Sequence, residues 1–291
     1  MRKDTRFSEK IFTISNVIIM LLFAAICIYP FYYMLIYAFS ASDSAYGITL
    51  LPRDFTLNNF VEVVRDVDIG LPAVVSVVRT LLGTSVTVLS CSFFGYLMTK
   101  QRMPGRKFFY RMLVITMYVN GGLIPTYLVY QAYGLVNSFL IYILPTALTA
   151  YNVMLVKTFT ESIPESLEES AVIDGAGPIK CWWSLIFPLS KPILATITVF
   201  AAVFQWNDWF DTHIYITKQN MWPLQYVLYR YLQKASAALE AAADSATAEV
   251  VVTPATIRMT ITAIVTIPIL FVYPFMQKYF MKGMLLGAVK G

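Results

Sequence analysis

Long unbroken apolar stretches limit this chain to very few folds. They lie at about residues 11–39, 74–99, 108–133, 137–159, 189–216 and 257–281. A helix needs roughly 20 apolar residues to cross the hydrocarbon core of a bilayer. Continuous hydrophobicity of this length favours helices over barrel strands, which would alternate over about ten residues. A backbone in lipid must also satisfy its own hydrogen bonds. Composition agrees: 58% of residues are hydrophobic and 13% charged, against about 25% charged in soluble domains. The expected fold class is all-α, a polytopic membrane bundle of about six transmembrane helices, with residues 1–291 forming one transmembrane domain.

The N-terminal run, 11–39, is longer than the roughly 7–15 residues of a signal-peptide core, so it reads as a retained first helix. With an even number of spans both termini share a side. Arg2, Lys3, Arg6, Lys10, Lys100, Arg102, Arg106, Lys107, Arg111, Lys157, Lys180, Lys191, Lys278, Lys282 and Lys290 fall on it. Fewer basic residues fall opposite, so the termini and the 160–188 loop are expected to be cytoplasmic. Loops 40–73 and 217–256 are then external. The first has an acidic stretch through Asp66 and Asp68; the second is alanine-rich from Lys234 to Glu249 and suits a short helix. Its length fits either a plain connection or contact with an external partner. Cys27, Cys91 and Cys181 are scattered and His213 is the sole histidine, which argues against a structural disulfide or a zinc site.

Between two apolar stretches lies a polar, acidic, glycine-punctuated segment, ESLEESAVIDGAGPIKCWWSLIFP. Ser162 is placed to cap a helix whose third position is Glu165, and Pro164 suits its first turn. Glu165, Glu168 and Glu169 gather where the helix dipole favours negative charge. Gly175 can adopt a left-handed stop. Pro178 can open a second helix carrying Trp182, Trp183, Ile186 and Phe187, ending at Pro188. The product is two short helices at a sharp bend on the membrane face. One alternative is an interfacial anchor. Anchors usually present basic faces to anionic lipid, whereas this face is acidic and suits a basic protein partner.

Glu169-Ser170-Ala171, then Gly175, then Leu185-Ile186-Phe187-Pro188 resembles the "EAA…G…I-x-L-P" loop of ABC-importer membrane subunits. Ile173-Asp174-Gly175-Ala176 and Pro188-Leu189-Ser190-Lys191-Pro192 are similar to the carbohydrate-uptake (MalG/LplC-like) permeases of the binding-protein-dependent transport inner membrane component family. Gly121-Gly122-Leu123-Ile124-Pro125-Thr126 and Trp206-Asn207-Asp208-Trp209-Phe210 look like its oligosaccharide members. Ser170, Leu185 and Phe187 depart mildly from the pattern. The resemblance implies a coupling loop docked on an ATP-binding subunit through Glu168, Glu169, Ala171, Asp174 and Gly175, with Glu169 paired to an arginine there. It also implies a homologous second permease in a heterodimer, two ATP-binding subunits and an external solute-binding protein. The location implied is the bacterial cytoplasmic (inner) membrane. No cofactor is expected on this chain; ATP and Mg belong on the partner ATPase, since no G-x-x-x-x-G-K-[ST] occurs here. No HExxH or GxSxG is present either, so the chain reads as a transporter subunit and not an enzyme.

Polar residues within spans are the candidates for a translocation path. Asn120 and Gly121-Gly122 lie roughly 18 Å along the third span. There they either break the helix beside a cavity or permit close packing. Tyr151 and Asn152 are open to the same choice between the path and an interhelical hydrogen bond. Gln205, Trp206, Asn207, Asp208 and Trp209 close the fifth span, with Asp211 beyond. Trp206 and Trp209, one turn apart, form either an interfacial aromatic belt or a gate that stacks on sugar rings. The favoured reading is half of an ATP-driven oligosaccharide importer. The alternative, a secondary carbohydrate transporter without an ATPase partner, calls for acidic residues at mid-membrane, which the sequence does not supply.

Overall fold

The computed structural model describes residues 3–41, 50–66, 69–244 and 255–288. Among them the chain is all-α, and its β contact is an isolated antiparallel bridge between Ser40 and Phe55. The helices are α1 (Lys3–Ala38), α2 (Asn58–Asp66), α3 (Gly70–Thr99), α4 (Arg106–Tyr118), α5 (Leu123–Ala132), α6 (Ala150–Thr160), α7 (Glu165–Ile173), α8 (Pro178–Cys181), α9 (Phe187–Leu189), α10 (Lys191–Asn207), α11 (Phe210–Tyr215), α12 (Leu224–Asp244) and α13 (Ala255–Ala288). Asp68 and residues 245–254 of the alanine-rich loop lie outside the described residues. The rest of that loop is helical from Leu224, so its helix is 21 residues long and not short.

The chain divides into two compact units, residues 1–68 with 231–266, and residues 69–230 with 267–291. In the first, the most apolar 18-residue window within Glu9–Ala38 has mean hydropathy 2.6 and no buried residue, as a lipid-facing helix should, while Met34, Ile36, Tyr37 and Ala38 at its end are buried. Beyond its end the chain folds back. Asn59 donates from one amide to the carbonyls of Ala38 (3.0 Å) and Ser40 (2.7 Å). Phe39 packs between Phe55 and Phe60.

In the second unit α3 is the centre, packed mainly on α10 and α6. Cys91, Met98, Leu113, Val153, Val156, Leu194 and Ile197 form its core. Lipid tails are as apolar as these side chains, so helix association rests on close packing, which small residues permit. Gly95 shows this. A Cβ there would lie 2.8 Å from Cβ of Val156 and 3.1 Å from the Val153 carbonyl oxygen. Gly83 makes the same approach to the Gln205 side chain on α10.

Among the described helices, Glu9–Ala38 and Gly70–Thr99 are each long and apolar enough to cross a bilayer alone. A third is obtained if Pro178–Leu189 and Lys191–Asn207, bent by 84°, are taken together. The other expected spans are assembled from shorter pieces. Stretch 108–133 divides into α4 and α5 around residues 119–122. Stretch 137–159 is a 3-10 turn (Phe139–Tyr142), an irregular segment and then α6. Stretch 189–216 divides at Asp208 into α10 and α11. Stretch 257–281 falls within α13, which contains Pro268 and Pro274.

Gly95→Leu is expected to force α3 and α6 apart, at about 1–3 kcal/mol for an overpacked site. Thermal unfolding of the purified protein in detergent should show a lower midpoint, with Gly95→Ala shifted less.

Candidate functional site

The acidic segment folds as a bent helix pair. α7 begins at Glu165 with Pro164 at its N-cap. The expected Ser162 cap does not form: Ser162 lies at the end of the preceding helix and donates back to the Phe159 carbonyl at 2.6 Å. At the other end Gly175 has φ +79°, the left-handed conformation. The Gly175 N–H donates to the Val172 carbonyl (3.0 Å) and the Ala176 N–H to the Ala171 carbonyl (2.9 Å). This is a Schellman stop, and its hydrophobic partners Ala171 and Ala176 pack together in the small core beneath. Pro178 then opens α8 at its first turn. The chain does not stop at Pro188. Proline cannot donate to the preceding turn, and the helix widens into a π turn at Trp182–Ile186 before ending at Leu189.

The core beneath the elbow contains Tyr96, Cys181 and Ile186, with Leu97, Ile163, Ala171, Ala176, Trp182 and Leu185 against them. Trp182 meets Phe93 of α3 edge-on at 5.0 Å. The elbow is therefore seated on the end of α3. Of its candidate docking residues, Glu169, Asp174 and Gly175 are exposed, Ala171 is half-buried, and Glu168 turns inward. Glu168 accepts from the Tyr96 hydroxyl at 2.7 Å and pairs with Lys100. Beside the exposed acids stand Val172, Ile173, Ile179 and Trp183, between 54% and 85% exposed. An open cleft of about 520 Å³ is lined by Gly177, Pro178, Ile179, Lys180, Trp183 and Ser184. Exposed apolar surface rimmed by charge is a docking face by its chemistry.

The path candidates separate into three groups. Asn120 is exposed at the break between α4 and α5, and its Oδ1 accepts from the Gly122 N–H at 2.8 Å. Gly122, at φ +83° and ψ 167°, occupies backbone space open essentially to glycine alone. A Cβ on Gly121 or Gly122 would meet nothing within 4 Å, so within this chain these glycines are not there for close packing. Tyr151 and Asn152 line a second cleft of about 240 Å³ with Thr87, Thr146, Thr149, Phe200 and Gln205. Tyr151 is exposed and Asn152 buried.

The third group is organised by Arg79, a wholly buried residue of α3. Its Nε donates to Gln205 Oε1 (3.0 Å), Nη1 to the Asp208 carbonyl (2.8 Å) and Nη2 to the Asp208 carboxylate (2.5 Å). Asp211 lies 3.7 Å away, and the guanidinium sits 4.2 Å from the Tyr142 ring centroid. Gln205 Nε2 donates to the Tyr142 carbonyl and the Thr146 hydroxyl, each at 2.8 Å. The side chains of Gln205 and Asp208 are thus held by the protein itself. Asn207 donates back to Val203 in its own helix. Because α10 ends at Asn207 and Asp208 is extended, Trp206 and Trp209 are not on one helical face as their spacing suggested. Trp209 stacks on Tyr229 at 3.9 Å. A lone arginine in an apolar run was the signal available for this site.

The family described as the binding-protein-dependent transport system inner membrane component matches residues 91–286. The chain is 36% identical to the polygalacturonan/rhamnogalacturonan transport system permease protein YtcP of Bacillus subtilis, over 94% of this chain and 96% of that one. It is 35% identical to protein LplC of the same organism, over 97% and 96%. A crystal structure of a bacterial ABC transporter involved in the import of the acidic polysaccharide alginate contains a chain that superposes with TM-score 0.83 at 28% identity, covering 94% of this chain and 98% of that one.

Arg79→Met should leave the Asp208 carboxylate in its pocket without its cation, at about 3–5 kcal/mol for breaking one side of a buried pair. A second change, Asp208→Asn, should recover part of that loss. Thermal stability of the single and double variants in detergent checks both, and no recovery would mean the pair is not coupled.

Proposed function

Because this chain belongs to the binding-protein-dependent transport system inner membrane component family, we propose that it forms half of the translocation path of an ATP-driven importer, passing an oligosaccharide handed over by an external solute-binding protein. It is an ABC permease subunit of the inner membrane, and that reading displaces the ATPase-free carrier. Its proposed partners are a homologous second permease and two ATP-binding subunits, which carry ATP, Mg and the hydrolysis step. Both termini and the elbow are assigned to the cytoplasm, on the strength of the lysine and arginine bias.

The observation that carries the reading is the elbow. Glu169 stands exposed on α7 and Asp174 just before its Gly175 stop, flanked by exposed Val172 and Ile173, on a core fixed to α3. Such a surface suits a groove with a basic wall and an apolar floor. Glu169 is the residue assigned to an arginine in that groove, with Asp174 and Gly175 shaping the contact. Ala171 supports it from below and Glu168 from behind.

Saccharide as cargo is supported by the relatives, whose names refer to polygalacturonan and rhamnogalacturonan and to melibiose, raffinose and stachyose. The cleft beside Tyr151 has suitable chemistry: threonine hydroxyls and amides for sugar hydroxyls, and Tyr151 with Phe200 and Phe204 for their C–H faces. Asn120 at its glycine break, and Trp206 through Trp209, are assigned to the same path.

Glu169→Lys should abolish uptake into cells while leaving the chain inserted in the membrane; normal transport would remove the docking assignment. Gly175→Ala places a Cβ in left-handed backbone, at about 1–2 kcal/mol. It should lower uptake less than Glu169→Lys, with Gly175→Asn closer to the parent. Titration of the cognate binding protein with an oligosaccharide panel, neutral and uronic, identifies the cargo. Failure to bind any member would overturn the saccharide assignment.

A further inference from the structure

Glu168 and Glu169 are neighbours on α7, yet they face different ways. Glu169 is exposed. Glu168 divides its two oxygens between two residues at the cytoplasmic end of α3: Oε1 accepts from the Tyr96 hydroxyl and Oε2 from the Lys100 ammonium. Lys100 also sits over the Tyr96 ring, 4.4 Å from its centroid. The three groups form a closed set with every pair in contact.

Several features set this triad apart from an ordinary surface ion pair, which contributes about 0–1 kcal/mol. Tyr96 is 1% exposed, so its hydroxyl needs an acceptor inside the protein. A carboxylate held at both oxygens cannot rotate away from one partner and keep the other. The triad also joins opposite helix poles. Glu168 lies in the first turn of α7 and Lys100 is the C-cap residue of α3, so each charge stabilises its own helix end as well.

We propose that Glu168, Tyr96 and Lys100 act as a latch that carries movement of the elbow into α3. It rests on the importer reading above. The three are positioning residues: none touches nucleotide or cargo. A load on the exposed face of α7 at Glu169 is passed one residue away to a helix that packs on both α6 and α10. The same helix, roughly 30 Å further along at 1.5 Å per residue, holds Arg79 and through it the break between α10 and α11. Without the latch the elbow still rests on α3 through Trp182 and the apolar core, but that contact can slide. The ion pair and hydrogen bond cannot slide without breaking.

The test uses the full complex with its ATP-binding subunits, reconstituted in lipid. The chain carries Cys27→Ser and a reporter Tyr151→Cys in the 240 Å³ cleft. Reaction of the reporter with a membrane-impermeant maleimide is timed with and without a non-hydrolysable Mg·ATP analogue. In the parent, nucleotide should change the rate. In Lys100→Gln, which breaks the pair while leaving every candidate docking residue in place, the ATP-binding subunits should co-purify and hydrolyse ATP at the basal rate. The nucleotide effect on labelling should fall roughly tenfold, within the ordinary range of coupling between sites. The charge swap Glu168→Lys with Lys100→Glu should restore most of it, which a merely structural role would not predict.

A nucleotide response in Lys100→Gln equal to the parent's overturns the latch and leaves the importer reading intact. Loss of the ATP-binding subunits from Lys100→Gln also overturns it, by placing Lys100 in the docking contact itself. No nucleotide response in the parent overturns the importer reading and the latch together.

Discussion

In hydrocarbon no water replaces a lost peptide partner, so a helix can stop only where another protein group takes over its hydrogen bonds. Each break in the second unit illustrates this. At the end of α4, Asn120 accepts the Gly122 N–H. In the irregular segment before α6, the Tyr142 carbonyl accepts from Gln205 and the Thr146 carbonyl from the Thr87 hydroxyl. At the end of α10, the Asp208 carbonyl accepts from Arg79 while its carboxylate accepts the Phe210 N–H. α3 contributes Arg79 and Thr87 to two of these three repairs. The central helix therefore does more than pack: it supplies the donors that let its neighbours be irregular.

The irregular places are also the polar ones. Thr87, Thr146 and Gln205, which satisfy the segment before α6, line the same cleft as Tyr151 and Asn152. One set of groups thus has two uses, internal repair and a polar wall on an otherwise apolar bundle. Within this chain Gln205 is committed to Arg79, Tyr142 and Thr146, and the Thr87 and Thr146 hydroxyls bond the backbone of the same segment, so Tyr151 and Asn152 are the groups left to meet a cargo. The Arg79 clamp assigns Asp208 to structure first.

What the sequence made legible was chemistry that neighbours in the chain decide. The lipid-facing run of α1, the Gly175 stop and Pro178 opening the next helix depend on nearby residues, and each is found where it was expected. The divided spans were not legible in the same way. Asp208 caps the Phe210 N–H locally, but an arginine 129 positions earlier holds its carbonyl at the end of α10. The same holds for 137–159, where Gln205 and Thr87 reach in from other helices. The Ser162 cap failed for a smaller reason: α7 begins at Glu165 with Pro164 at its N-cap, so Ser162 lies before the position from which a side chain accepts the first free N–H groups. Pairing Trp206 with Trp209 assumed a continuous helix across the break at Asp208.

The opposed orientations of Glu168 and Glu169 follow from helix geometry alone. Successive residues on an α-helix point about 100° apart, so two adjacent glutamates at the edge of a buried stripe cannot share a side. Ala171, three positions after Glu168, is half-buried in the same core that holds Tyr96. That register places Glu168 over α3 and leaves Glu169 outward. A polar surface loop could not offer one carboxylate to a partner and hold the other against its own scaffold. A short helix locked by the Schellman stop at Gly175 can do both, because its rotation about its axis is fixed by Ala171 and Ala176. The left-handed glycine sets which acid the elbow presents as well as where it turns.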